Sequence, residues 1–262
     1  MKSIPDQIED IKNHGYALDF SNVFNYAFEN YKKIALYAGL ILLVFSVFFG
    51  FIAYSILVTI FGVDKISNPE FFNIQPQHLS QLQLAYYIIG SSLISALFSP
   101  FSAGFLKMAD CAQKDEEFKV ATIFTYYKTH HFFQIFLSTL LISLIGGGIS
   151  TLLELFKLNF LGFIISLSIS FFTFLTIPLI VFGNLKALNA IKSSFILISK
   201  QPLILLALII TIIGAILVGF CGFCIGVLFT IPFSYSMTYA IYCAIFKVDK
   251  EDPIDAIGKS DF

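Results

Sequence analysis

The sequence predicts an all-α integral membrane protein. Six transmembrane helices are expected as three tandem repeats, each a cytoplasmic interfacial amphipathic helix followed by a helical hairpin, set around a pseudo-threefold axis. Three observations predict this. Hydrophobic residues make up 57% of the 262 and charged residues only 13%, with a mean hydropathy of +0.84; soluble domains are about 45–50% apolar and about 25% charged. Six segments reach the roughly 20 apolar residues that a span requires. Similar residue patterns return three times along the chain. The composition excludes a disordered chain and, with only four Cys, a disulfide scaffold. A formal charge of −1 excludes a nucleic-acid binder.

The elements follow in order. Residues 1–17 are a polar N-terminal segment, and the first 33 residues are too polar for a signal peptide, so no cleavage is expected. Next, Phe20, Val23, Phe24, Ala27, Phe28 and Tyr31 recur at helical spacing, with Asp19 or Ser21 as the cap. Span 1 is Ile34–Gly62, long enough to tilt or to project past the lipid. The loop Val63–Gln81 leads to span 2, Leu84–Phe105. The amphipathic pattern returns at Val120, Ile123, Phe124 and Tyr127, ahead of span 3 (Phe132–Leu153) and span 4 (Leu161–Gly183). It returns more faintly at Ala187, Ala190, Ile191, Ser194, Phe195 and Ile198, ahead of span 5 (Leu203–Phe220) and span 6 (Phe223–Phe246). These give one membrane domain, 18–247, with repeats at about 18–115, 118–184 and 185–247, then a polar tail, 248–262.

Lysine placement sets the orientation. All sixteen basic residues are Lys, and only Lys65 and Lys157 fall in the loops opposite the other fourteen. The positive-inside rule therefore puts both termini in the cytoplasm. The remaining outer turns are very short, which excludes a large extracytoplasmic domain.

The even spans also match one another. Span 2 carries SPFSAGFLKMADCA and span 6 carries IPFSYSMTYAIYCA, which align on Pro100 and Pro232 without a gap. Span 4 has TIPLIVFG around Pro178. Each Pro frees a carbonyl, and hydroxyls that could satisfy it lie nearby: Ser99 and Ser102, Thr173 and Thr176, Thr230 and Ser234. Two readings stay open: three kinks around a polar central cavity lined by Ser95, Ser99, Thr173, Thr176, Thr230 and Ser234, or kinks that only fit helices together. Small residues at four-residue spacing (Ser91, Ser95, Ser99 and Ala103; Ser166 and Ser170; Gly222, Gly226, Thr230, Ser234 and Thr238) should let spans 2, 4 and 6 approach closely as an inner ring.

The amphipathic helices should lie in the cytoplasmic interface. They are either a structural collar or a docking surface for a partner or anionic lipid through Lys32, Lys33, Lys119, Lys128, Lys192 and Lys200. Catalytic chemistry has little support. Lys107, Asp110, Glu154 and Lys157 all sit near span ends, which argues against ion-coupled transport. His130 and His131, with Asp115, Glu116 and Glu117, could bind a metal, but adjacent histidines are expected on different helix faces. Cys221 and Cys224 form a CxxC that could cycle redox or simply pack in a turn. No cofactor, metal site or catalytic residue is expected.

The entry helix DFSNVFNYAFENYKK, the paired spans and a mid-span Pro with Ser or Thr beside it resemble the six-span bacterial membrane proteins of the YciC-like kind. These are similar to the membrane domain attached to some glycerophosphodiester phosphodiesterases. The resemblance covers about 18–247 and implies a multi-pass protein of the bacterial inner membrane. This sequence carries no phosphodiesterase domain, so that activity is not implied. The expected function is a non-enzymatic accessory or scaffold subunit of a larger membrane assembly, in contact with lipid and other membrane proteins. The alternative is a carrier or binder of lipid or a small apolar molecule in the Pro-kinked centre.

Overall fold

The computed structural model describes residues 2–68, 71, 79–222 and 225–248. His78, Cys224 and the tail from 249 lie outside them. The described residues are helical or connecting, with no strand among them. Six helices are long and apolar enough to cross a membrane.

The N-terminal segment is not merely polar. It folds as α1 (Ile4–His14), capped by the Ser3 side chain accepting from the Asp6 N–H, with Pro5 in the first turn. Ile8 and Ile11 are buried, one helical turn apart on the same face. On the exposed face, hydrogen bonding to His14 and then the Lys2 charge hold the Asp10 carboxyl below the usual carboxylate range.

Helix α2 runs unbroken over 42 residues, Phe20–Phe61, capped by Asp19. At 1.5 Å per residue it is about 63 Å long, twice a typical hydrocarbon core. The expected interfacial helix and span 1 are thus one rod, because no Gly or Pro interrupts the pattern before Gly39. After α3 (Val63–Ile66), α4 (Gln81–Gln113) starts in a capping box, Ser80 with Gln83, and continues through Pro100. The second amphipathic segment splits into two four-residue turns, α5 (Val120–Ile123) and α6 (Thr125–Lys128). Then come α7 (His131–Leu155), α8 (Asn159–Phe172) and α9 (Thr176–Val181), the last two forming one interrupted span. Only the third amphipathic segment is a discrete helix, α10 (Ala187–Lys200), followed by α11 (Pro202–Phe220) and α12 (Ile225–Phe246).

The three span prolines act differently. In α4 the ring of Pro100 removes the donor for the Ala96 carbonyl, and the Ser99 hydroxyl donates to that carbonyl at 2.8 Å. In α12, Pro232 also sits inside a continuous helix. Before Pro178 the span breaks over 173–175. There Ser194 of α10 repairs the backbone: its hydroxyl donates to the Phe172 carbonyl (2.8 Å) and accepts from the Leu175 N–H (3.1 Å). Ser194→Ala takes the partner from the buried Leu175 N–H and from the half-buried Phe172 carbonyl. At about 1–3 kcal/mol for a buried polar group left unmade, it should lower the melting temperature measurably, whereas Ser199→Ala, on the exposed side of α10, should not.

The core sits toward the lysine-bearing end. Ile34, Phe105, Met108, Ile123, Ile135, Leu179, Ile180, Leu197, Leu205 and Leu208 are fully buried there. Toward the opposite end, α2 and α4 expose Phe48, Phe51, Ile60, Leu82, Tyr86 and Ile94.

Candidate functional site

Two polar features stand out in this apolar bundle. The first joins α2, α4 and α12 at the lysine-bearing end. Asp110 of α4 is 4% exposed, yet it accepts three donors. Lys107 reaches Oδ2 at 2.7 Å, Lys114 reaches Oδ1 at 3.0 Å, and the Tyr239 hydroxyl of α12 donates to Oδ1 at 2.9 Å. The spacing explains the ion pairs: residues three before and four after a helical carboxylate share its face. A buried carboxylate needs such partners. One layer further in, Asn30 of α2 donates from Nδ2 to the Ala109 carbonyl of α4 (2.8 Å), and its Oδ1 accepts from the Ser236 hydroxyl of α12 (2.8 Å). Lys33 donates to the Ala112 carbonyl at 3.0 Å and pairs with Asp115, closing the end of α4. Phe182 stacks edge-on to Tyr239, with centroids 5.4 Å apart.

Every polar group in this cluster is matched to another part of the chain. The arrangement is a lock between three helices rather than an open site. The sequence singled out Lys107 and Asp110 as span-end charges but did not connect them to Asn30, Ser236 or Tyr239. The Lys107-Asp110-Lys114 spacing was the available signal.

The second feature is a lateral pocket between α7 and the interrupted span. It has a volume of about 350 Å³ and is lined by Ser138, Ser143, Gly147, Ser170, Thr173 and Thr176 among others. Several hydroxyls there are spent on their own helices: Ser138 donates to Ile135, Ser143 to Thr139 and Thr173 to Ile169. Thr176 is 1% exposed, and its Oγ1 has no hydrogen-bond partner among the described residues.

The residues expected around one central cavity are dispersed. Thr173 and Thr176 line this lateral pocket. Thr230 lines a different, almost wholly apolar groove of about 410 Å³, with Phe24, Phe28, Thr211 and Phe233. Ser99 is buried, Ser95 is exposed, and Ser234 donates to its own helix at the Ile231 carbonyl. Pro100 and Pro178 are fully packed, as is Pro232.

Of the six expected docking lysines, Lys32 pairs with Glu29 and Lys33 with Asp115. Lys119, Lys128, Lys192 and Lys200 are exposed. His130 and His131 do not diverge. His130 is the N-cap of α7 and His131 its first residue, so both ring Nε2 atoms lie within hydrogen-bond range of Asn184 Oδ1, at 3.2 and 3.0 Å. Asn184 reaches them from the turn before α10, where it takes the left-handed backbone conformation that Asn tolerates (φ 56°). Cys221 is exposed at the α11 end.

The chain matches no known protein family, and it matches neither the curated proteins nor the solved structures with which it was compared.

Proposed function

We propose that this polytopic membrane protein is a non-enzymatic accessory or scaffold subunit that holds other membrane-spanning helices. The observation that carries the reading is the uneven packing of the α2–α4 hairpin. Near the lysines it is tied into the bundle by Asp110 and Asn30. Away from them it exposes Phe48, Phe51, Ile60, Tyr86 and Ile94 together with the small residues Ser91 and Ser95. Small residues on a bare transmembrane helix let a second backbone approach, which is how helices associate where lipid supplies no hydrophobic drive between them. In this reading the lock provides a rigid base, and the bare half of the hairpin is the docking leg.

The same reading places the protein in a bacterial inner membrane with both termini cytoplasmic, supported by fourteen lysines against two. It takes the chain as three tandem hairpins of the YciC-like kind, supported by the Pro-Phe-Ser match between α4 and α12. The exposed Lys119, Lys128, Lys192 and Lys200 then face anionic headgroups or a partner's acidic groups. A carrier working through a central Pro-kinked cavity has less support, because the residues expected to line it are dispersed, Thr173 and Thr176 on one pocket and Thr230 on another.

Native mass spectrometry after mild extraction tests the assignment. The expected result is a stable heteromeric species that is lost in Ser91→Phe/Ser95→Phe, with no change in melting temperature because both sites are exposed. A monomer under the mildest extraction, or an assembly indifferent to the double substitution, overturns it.

A further inference from the structure

Thr176 poses a problem that no other described residue solves. A hydroxyl buried in an apolar bundle without a partner costs free energy. The hydroxyls nearby show how this chain normally avoids that cost: Ser138, Ser143 and Thr173 each donate back to a carbonyl of their own helix. Thr176 cannot do the same. It is the first residue of α9, just past the break at 173–175, so no regular helical turn lies behind it. The break also leaves a carbonyl short of a donor, since Pro178 has no N–H to offer the Phe174 carbonyl four residues earlier. Thr176 and Phe174 both line the lateral pocket.

The pocket has the dimensions and lining of a ligand site. Its roughly 350 Å³ exceeds what one or two waters fill. Its polar residues are all hydroxyl-bearing (Ser138, Thr139, Ser143, Ser166, Ser170, Thr173 and Thr176), and no charged residue is among those lining it. An anionic headgroup would find no cation there, and a cation no carboxylate. The remaining wall is Ile142, Ile169 and Ile177 with Gly146 and Gly147, which suits an acyl chain. The pocket lies between two apolar spans, α7 and α8–α9, so a ligand can enter from the lipid.

We propose that this pocket binds an uncharged, hydroxyl-bearing lipid of the diacylglycerol type, with its free hydroxyl on Thr176 and an acyl chain along Ile142 and Ile169. An alcohol fits better than an ester alone because it can both accept from Thr176 and donate to a carbonyl left without its helical donor. The inference stands apart from the scaffold reading: it concerns α7–α9, whereas the docking leg is α2–α4, and either can fail without the other.

The test is native mass spectrometry of the purified full chain with dioctanoylglycerol, alongside dioctanoyl phosphatidic acid as the charged counterpart. Dioctanoylglycerol is expected to form a one-to-one adduct, weakened about tenfold in Thr176→Val. Gly147→Leu, which places bulk in the pocket where an added Cβ meets no protein atom, should abolish the adduct. Neither variant should melt below wild type in the absence of lipid. Thr176→Val is expected to be neutral or more stable, because it removes an unpaired buried hydroxyl. The proposal is overturned if dioctanoylglycerol fails to bind, if binding is indifferent to both substitutions, or if phosphatidic acid binds as tightly in a Thr176-dependent way.

Discussion

Asp110→Ala should be among the most damaging single substitutions in this chain, lowering stability by about 3 kcal/mol and the melting temperature by roughly 10 °C. The carboxylate is almost fully buried and accepts from Lys107, Lys114 and Tyr239 at once. Its removal takes the Asp110 acceptor from the Tyr239 hydroxyl inside the bundle and leaves two ammonium groups facing each other without a counter-charge. The figure is set at the lower end for a broken buried pair because the Lys107 and Lys114 side chains are 31% and 52% exposed and can turn toward water. Lys114→Ala, by contrast, removes only the more exposed arm and should cost less than about 1 kcal/mol. Thermal unfolding of both variants in detergent checks the claim. Equal, small losses would mean that Asp110 does not lock α4 to α12.

Gly104→Ala is expected to cost about 2 kcal/mol or more, although it adds a single methyl group to a helix. A Cβ at Gly104 would run into the backbone of Ile123, at its carbonyl oxygen and Cα. Backbone cannot rotate away as a side-chain tip can, so α4 and α5 must separate or α5 must unwind, an overpacking penalty of about 1–3 kcal/mol. Gly214→Ala supplies the comparison. Its added methyl meets open space on α11, and Ala is the better helix former by up to about 1 kcal/mol, so that variant should melt at or above wild type. If Gly104→Ala melts with Gly214→Ala, the close contact between α4 and α5 does not hold the fold.

These two residues show how unevenly the sequence could be read. Six spans were legible because lipid as solvent demands long apolar helices with satisfied backbones, and composition records that demand directly. Helix α1 could have been read from Ser3, Pro5 and the Ile4, Ile8, Ile11 spacing, a cap and a stripe hidden only by the segment's general polarity. Gly104 gave no such signal, since nothing local distinguishes a glycine that touches a distant backbone from one facing lipid. Adjacent histidines looked divergent on an assumed helix, but the helix begins between them, and the cap position frees His130 to follow His131 to Asn184.

The prolines mark the same boundary. Each was visible in the sequence with hydroxyls close by, and each removes one backbone donor wherever it lies. Whether the helix then bends, carries on or breaks depends on what packs against it. Ser99 answers Pro100 from one residue away, whereas the break before Pro178 is answered by Ser194 from a different helix. By itself the sequence determined the solvent, the number of apolar helices and their approximate limits, because these follow from hydrophobicity and local periodicity. Only the tertiary structure decided that Ser194 answers the break before Pro178, that Asp110 meets Tyr239, and that Thr176 is buried without a partner among the described residues. Hydrogen bonds and close contacts between helices depend on positions tens to hundreds of residues apart, and no local pattern encodes them.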